Sequence, residues 1–138
     1  MKATYYLAKT DPHDYPVSRF AAEGRTRWDG VTNPQAVQAI RAMRPGDRVF
    51  IYHSGGDPAV VGFAKVAAQP CQDQSNTKIW TVEMEFVRMI EPPVTLAEIK
   101  ASGLFSDWAL VRQSRLSTME APRSFVEWIR GIRPKARI

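Results

Sequence analysis

The sequence predicts an α+β domain with a curved, mostly antiparallel sheet. Three observations lead to this class. Apolar and polar residues alternate over residues 80–90, which indicates a half-buried strand. Turns rich in glycine and proline join neighbouring β-like segments directly, as hairpins do, rather than through strict βαβ crossovers. Short helical segments with capping residues stand between the strands.

The first half of the chain is predicted to hold two strands and two helices. The strands are expected over Thr4–Lys9 and Arg48–His53, and the first helix over Pro16–Glu23, before Gly24. Asn33 and Pro34 then suit the N-cap and first position of the second helix, because proline lacks an N–H that would be unpaired there. This helix is expected to stop at the turn formed by residues 44–47.

Two further strands are predicted in the middle of the chain. Ala59–Ala68 is expected to form a hairpin with the preceding strand, with Gly62 as a bulge, and residues 70–77 to form a loop. The clearest strand begins at Trp80, and we expect Pro92 and Pro93 to end it.

The last third of the chain is predicted to finish with two helices and two short strands. Thr95 and Glu98 have the spacing of a capping box for a helix that ends near Gly103. The short strands are expected over residues 108–112 and 115–119, and the closing helix over residues 122–130. Its inward residues are predicted to be Phe125, Val126 and Ile129.

Composition indicates a single domain over residues 1–138. Hydrophobic residues make up 44% of the chain and charged residues 24%, which is ordinary for a globular protein. No apolar run approaches the length of a membrane span. One cysteine, Cys71, excludes an internal disulfide framework, so we expect a cytoplasmic protein, nucleoid-associated if bacterial.

The charge balance favours a polyanionic partner without requiring one. Nineteen basic residues stand against fourteen acidic ones, which gives a formal net charge of +5. Residues 132–138 are expected to form a basic, solvated and frayed C-terminal tail.

Four segments carry a resemblance to a known family. They are Tyr6–Pro12, Trp28–Ala36, Phe50–Ser54 and Arg112–Ser117. Their order, spacing and residue types resemble the EVE domain, a PUA-like family related in fold to the YTH readers. The resemblance covers about Tyr5 to Ile129. It implies a PUA-like pseudobarrel of mostly antiparallel strands flanked by short helices, and a role in recognising modified cytosine in DNA.

The chain departs from the family pattern at two places. The family's opening motif more usually reads Lys-Ser-Glu-Pro, where this chain has Thr10 and Asp11 between Lys9 and Pro12. The family commonly has arginine where Thr32 stands, so this chain has lost one potential phosphate or base contact.

Catalytic and metal chemistry have little support in the residues. Cys71 and the two histidines are not spaced as metal ligands, so neither a metal nor another cofactor is expected. His53 and Ser54 are neighbours in a predicted strand and should point to opposite faces, which argues against a dyad. Glu83 and Glu85 share a face that we expect to be solvated.

Base-binding chemistry is better supported. An extruded base needs a flat surface, polar groups for its edge and cations for the flanking phosphates. Trp28 has no periodic apolar partner and can supply the surface, although a core tryptophan is the alternative; the other tryptophans, Trp80, Trp108 and Trp128, are predicted to be core. Asn33 offers a donor and an acceptor.

With the resemblance, the sequence predicts a base-binding pocket and a phosphate-binding group. The predicted pocket residues are Lys9, Thr10, Trp28, Asn33, Tyr52, His53, Ser54, Gln113 and Ser114, with Ser117 as a further small polar residue. The predicted phosphate-binding residues are Arg44, Arg48 and Arg115.

These predictions lead to one main functional hypothesis and two alternatives. The main hypothesis is a non-catalytic, monomeric domain that reads a flipped, modified cytosine in DNA, with no membrane or metal partner. The first alternative is an RNA-binding module that reads a modified RNA base. The second is a hydrolase that acts on nucleic acid or a nucleotide, since a fold does not determine a function.

Overall fold

The computed structural model describes residues 3–138, which form a seven-stranded sheet with short helices on it. The strands are β1 (Tyr5–Thr10), β2 (Arg25–Trp28), β3 (Arg48–His53), β4 (Ala59–Val66), β5 (Cys71–Gln72), β6 (Trp80–Thr95) and β7 (Thr118–Glu120). The helices are α1 (Val17–Glu23), α2 (Pro34–Ala42), α3 (Leu96–Ala101), α4 (Ala109–Arg112) and α5 (Arg123–Ile132), followed by a 3-10 turn over Pro134–Ala136. The mixed α+β class with a mostly antiparallel sheet is therefore confirmed.

The strand order is β2-β6-β4-β3-β1-β7, and β5 pairs with β6 outside this path. Every pairing is antiparallel except that of β1 with β3, which are parallel and joined through α1, β2 and α2. The carboxyl ends of β1 and β3 therefore meet at one edge of the sheet, with Thr10 beside His53.

Aromatic side chains fill the core between the sheet and α5. Phe50 of β3 meets Phe125 of α5 edge to face, with the ring centroids 5.2 Å apart. Trp108 also packs against Phe125, with the ring centroids 4.6 Å apart. The inward residues predicted for α5, Phe125, Val126 and Ile129, are all fully buried. The predictions of β3, of the helix after Asn33 and of the Thr95 cap are also confirmed.

Strand β2 was not predicted, although its sequence carries a strand signal. Basic residues alternate with residues of high β propensity over Arg25–Trp28. The segment is only four residues long, so its alternation is too short to be distinguished from a turn. Pairing with β6, where Trp28 stands opposite Val82, makes it a strand.

Residues 108–112, predicted as a strand, form a helical turn instead. Trp108 precedes α4, and its indole Nε1 donates to the Glu120 carbonyl at 3.0 Å. A short apolar run does not distinguish a buried strand from a buried helix, so only this tertiary contact decides the conformation. The following strand prediction is partly right, because β7 begins at Thr118.

The predicted end of β6 at Pro92 and Pro93 is wrong. Val60 pairs with Val94 and Gly62 with Met89, so residues 90–93 bulge out opposite a single residue of β4. Proline is tolerated there because its missing N–H is not needed for the ladder. The loop predicted over residues 70–77 also contains the short strand β5.

The prediction of a frayed tail is wrong as well. The Arg133 guanidinium donates to the Pro92 carbonyl at 2.8 Å and the Pro93 carbonyl at 3.1 Å, and it lies 3.0 Å from Glu98. Ala136 is buried in the 3-10 turn. Arg133 therefore holds this segment against the bulge of β6.

A bulge in β4 places Gly62 directly under α1. Ile51 pairs with Gly62 and Tyr52 with Val60, so Val61 is the extra residue. A Cβ atom at position 62 would lie 2.7 Å from the Val17 Cγ2 atom, which is closer than van der Waals contact allows. The absence of a side chain there lets α1 approach the sheet.

This close approach predicts opposite effects for two glycine substitutions. We expect Gly62→Ala to lower the free energy of unfolding by about 1–3 kcal/mol through overpacking, and Val17→Ala to relieve part of that loss. The matched control is Gly131→Ala in α5, where nothing lies within 4 Å of the new Cβ. It should stabilise the protein by roughly 0.5–1 kcal/mol. Urea unfolding measures both, and an unchanged midpoint for Gly62→Ala would contradict the steric argument.

Candidate functional site

A cavity of about 450 Å³ lies where β1, α1 and β2 come together. Its walls come from the carboxyl end of β1, from Tyr15 and α1, from β2 and the loop after it, and from the segment before β7. The lining residues are Lys9, Thr10, Tyr15, Arg19, Glu23, Thr26, Arg27, Trp28, Asp29, Gly30, Val31 and Ser117.

The cavity depends on the curvature of the sheet. β1 and β2 are separated by β3, β4 and β6 in the strand order. In a flat sheet they would lie about 19 Å apart, given a strand spacing of about 4.8 Å. Both nevertheless line one cavity, so the sheet curls until its two sides approach each other. This is the geometry of a pseudobarrel, and α1 lines the cavity between the two sides.

Trp28 forms the floor of the cavity. The residue is only 7% exposed, and its ring packs edge-on to Tyr15 at 6.2 Å and tilted against Phe20 at 6.1 Å. The two predicted roles of Trp28, a core residue and a surface for a ligand, are therefore compatible. It belongs to the core, and it presents its remaining surface to the cavity, so a ligand would meet a rigid aromatic floor rather than a mobile side chain.

A hydrogen-bonded group forms the rim next to α1. The Tyr15 hydroxyl donates to Glu23 Oε1 at 2.5 Å, and Arg19 Nε donates to Glu23 Oε2 at 3.2 Å. The bond from Tyr15 is the main cause that lowers the pKa of Glu23, while burial raises the pKa of Tyr15. The Arg19 guanidinium also lies 5.3 Å from the Tyr15 ring centroid. This group holds the aromatic ring of Tyr15 in place over Trp28.

Lys9 brings a positive charge to the opposite wall. Its Nζ donates to the Ser114 carbonyl at 3.0 Å and lies 5.5 Å from the centroid of the Tyr52 ring. Burial lowers the pKa of Lys9 from its ordinary value. A partly desolvated ammonium interacts more strongly with an anion than a fully hydrated one does, because fewer waters screen it.

The structure brings some of the predicted pocket residues together. Lys9, Thr10 and Trp28 line the cavity, as does Ser117. Tyr52 and Ser114 lie behind them as the contacts of Lys9. Gln113 and Arg115 are exposed on the same segment as Ser114.

Asn33, His53 and Ser54 lie outside the cavity lining and have other contacts. Asn33 Oδ1 accepts from the backbone N–H groups of Gln35 and Ala36 at 2.9 and 3.1 Å, so it caps α2. The side-chain oxygen of Asn33 is thus occupied. Ser54 Oγ is 3.4 Å from the Thr10 carbonyl, next to the cavity wall.

Arg44 and Arg48 lie at the other end of the sheet. Arg48 begins β3, and His53, which stands beside the cavity residue Thr10, ends it. Five residues of a strand separate them by roughly 17 Å. The Arg44 guanidinium donates to the Met43 carbonyl at 3.1 Å and thereby caps the end of α2. Neither arginine lines the cavity.

Sequence reasoning missed most of the lining on the α1 and β2 side. The missed residues are Tyr15, Arg19, Glu23, Thr26, Arg27, Asp29, Gly30 and Val31. The alternation within β2 was the available signal for Thr26 and Arg27. Gly30 adopts a φ of 75°, which favours glycine and turns the chain along the cavity wall.

Trp80 differs from its prediction as a core residue. It packs against the core but is only partly buried, and the Arg41 guanidinium lies 4.8 Å from its ring centroid. Trp108 is 9% exposed, as predicted for a core residue, while Trp128 is partly buried. Trp80, Arg41 and Thr32 line a second cavity of about 350 Å³.

The curled, mostly antiparallel sheet and its helices define a PUA-like α+β domain. The solved structure of a hypothetical protein from Leishmania major superposes with a TM-score of 0.90 at 27% identity, covering 99% of this chain and 98% of that one. The family model of the EVE domain matches residues 4–132. The chain therefore belongs to the EVE domain family.

Other similar proteins include thymocyte nuclear protein 1. The human protein is 27% identical over 80% of this chain, and the chain spans 60% of its length. A solved structure of human THYN1 in complex with 5-methylcytosine-containing DNA has a TM-score of 0.86 at 23% identity, covering 95% of this chain and 98% of that one. A solved protein from Agrobacterium tumefaciens is 32% identical, with a TM-score of 0.87 over 94% of this chain and 92% of its own.

Within residues 3–138, no helix has the length and apolar character needed to cross a membrane.

The histidine beside the cavity predicts a pH-dependent stability. His53 Nε2 accepts from the Val17 N–H at 3.0 Å, and burial lowers the pKa of His53 below its ordinary value of 6.5. As the pH falls below about 6.5, the unfolded chain binds the proton first, so this residue's contribution to stability is lost on acidification. The contribution of His53 to stability is fully present above that pH.

We expect the free energy of unfolding to fall between pH 7.5 and 5.5 by more in the wild type than in His53→Gln. Glutamine keeps an acceptor but does not titrate. Urea unfolding at both pH values measures the difference. Parallel pH profiles for the two proteins would show that His53 does not carry the effect.

Proposed function

We propose that this chain is a non-catalytic nucleic-acid-binding domain that reads a flipped, modified cytosine of DNA in the Trp28 cavity. The observation that carries the proposal is the cavity itself, which has an aromatic floor, polar walls and cationic rims. Its volume lies in the range of small-ligand sites, so it can hold a single base. The human THYN1 structure with 5-methylcytosine-containing DNA supports the same ligand class.

The lining residues match the chemistry of a cytosine. A flat base would pack against Trp28, with Val31 offering apolar surface to a 5-methyl group. The amino group of cytosine needs an acceptor, and the Asp29 carboxylate is the type of group that accepts from it. Hydroxyls of Thr10 and Thr26 can bond the remaining polar atoms of the base edge.

Cations at the rim suit the phosphates on either side of a flipped base. Lys9 and Arg27 both line the cavity, and neither has a carboxylate within 4 Å among residues 3–138. A base cannot enter alone, because its sugar and phosphates remain attached at the mouth. The net charge of +5 adds a general attraction to the polyanion.

Binding without catalysis is part of the proposal. A general base needs a free lone pair within reach of the proton that it removes. His53 stands beside the cavity residue Thr10, yet its Nε2 lone pair already accepts from the Val17 N–H. The residues of the cavity are suited to contacting the base edge and the phosphates.

The expected selectivity for methylation is modest. Burying one methyl group contributes about 0.8 kcal/mol, which corresponds to roughly a fourfold preference. A hydroxymethyl group adds a polar atom, and a sharper preference for it would require a hydrogen-bond partner in the cavity.

The proposal predicts a preference that depends on Asp29. In fixed-salt titrations of matched single-stranded DNA and RNA, each with cytosine, 5-methylcytosine or 5-hydroxymethylcytosine, we expect one modified DNA to bind best. Asp29→Asn should reduce cytosine binding by up to about tenfold, because a neutral amide oxygen accepts a weaker hydrogen bond than a carboxylate, by about 1–1.5 kcal/mol. Asp29 is exposed, so this variant should fold.

The matched control is Asp107→Asn, an exposed aspartate outside the cavity. Trp28→Ala is a second test, with its folding checked because removing a buried tryptophan costs about 3–5 kcal/mol. Equal binding of modified and unmodified strands by the wild type would refute the reader. Preference for a modified RNA would assign the cavity to RNA instead.

A further inference from the structure

We propose that the DNA strand leaving the Trp28 cavity continues over a second site, the Trp80 patch, formed by Arg41, Lys78 and Trp80. In this site Arg41 and Lys78 bind phosphates further along the strand than those directly beside the flipped base, and Trp80 positions Arg41. The inference rests on the proposed function, because it assigns the path of the same strand.

The Trp80 patch lies between α2 and the start of β6. Arg41 is in the last turn of α2, Trp80 is the first residue of β6, and Lys78 precedes that strand. All three line the second cavity of about 350 Å³. The Arg41 guanidinium lies over the Trp80 ring at 4.8 Å from its centroid, a cation–π contact that restricts the long arginine side chain.

The two cations have no anionic partner within the described part of the chain. Neither Arg41 nor Lys78 has a carboxylate within 4 Å among residues 3–138, whereas Arg19, Arg25 and Arg133 each form an ion pair. Both residues are exposed. Two unneutralised cations beside an aromatic ring form a surface that suits phosphate groups.

The Trp80 patch lies next to the base cavity. Trp28 pairs with Val82, and Trp80 lies two residues before Val82 on the same face of β6. The Cα atoms of Trp28 and Trp80 are therefore about 8 Å apart, from the strand rise and spacing. The loop between β2 and α2 separates the cavities, with Val31 lining the first and Thr32 the second.

Trp80 acts through Arg41 rather than as an open stacking platform, because the guanidinium already lies over the ring. A fixed guanidinium loses less side-chain entropy when it binds a phosphate. Trp80 is therefore a positioning residue, and its replacement should matter only while Arg41 is present.

The test is the salt dependence of binding to a single-stranded DNA that carries one 5-methylcytosine. The logarithm of the association constant falls linearly with the logarithm of the salt concentration. Each lost phosphate contact should make this negative slope shallower by about 0.7. We expect that change for Arg41→Gln and for Lys78→Gln, and about twice that for the double variant. The matched control is Lys100→Gln, on α3 beyond the opposite end of β6, which should leave the slope unchanged.

A double-mutant cycle tests the role of Trp80. Trp80→Leu should weaken binding in the wild type but have no further effect in Arg41→Gln. Urea unfolding of Trp80→Leu shows that the variant is folded. Additive losses of affinity in Trp80→Leu and Arg41→Gln would overturn the positioning role of Trp80. Unchanged salt slopes for both Arg41→Gln and Lys78→Gln would overturn the Trp80 patch as a whole.

Failure of the Trp80 patch can be distinguished from failure of the proposed base reader. Phosphate contacts carry no information about the base, so the ratio of affinities for modified and unmodified strands should stay constant in Arg41→Gln and Lys78→Gln. A wild type that does not discriminate modified strands refutes the base reader. A wild type that discriminates, with slopes that these variants do not change, refutes only the Trp80 patch.

Discussion

The packing of Trp28 against Tyr15 and Phe20 is the contact on which the site depends. Trp28 ends β2, while Tyr15 and Phe20 belong to the segment that follows β1. The contact therefore joins β2 to the segment that follows β1, although β1 and β2 are four places apart in the strand order. Aromatic pairs of this kind add about 0.5–1.5 kcal/mol each beyond the area they bury. Together with the pairing of β2 and β6, this contact holds the β2 wall of the cavity against the segment after β1.

A rigid aromatic floor has consequences for recognition. Stacking on an aromatic ring contributes about 1–3 kcal/mol whatever the base, so the floor supplies affinity rather than selectivity. Selectivity has to come from polar groups such as Asp29 and from the shape of the walls. Charge plays a third role, since Lys9 and Arg27 lie where phosphates would remain outside. In the proposed reader, affinity, base preference and salt dependence are therefore properties of different residues.

Local sequence signals predicted the elements that local chemistry controls. The cap by Asn33, the cap by Thr95 and the inward face of α5 follow from side-chain hydrogen bonds and periodicity within a few residues. The predictions failed where distant contacts decide. Residues 108–112 are helical because of packing around Trp108, and β6 continues past Pro92 because its residues 90–93 bulge out while β4 remains paired on both sides of them. Periodicity within a segment contains no information about such partners.

The sequence by itself determined the α+β class, most element boundaries, the family resemblance, and Lys9, Thr10 and Trp28 as candidates for one site. Only the tertiary structure decided which other residues share it. It added Tyr15, Arg27 and Asp29, and it placed Arg44 and Arg48 at the far end of the sheet. The reason is that curvature accumulates over many strands. The distance between two strand ends depends on every pairing between them, which no local pattern records.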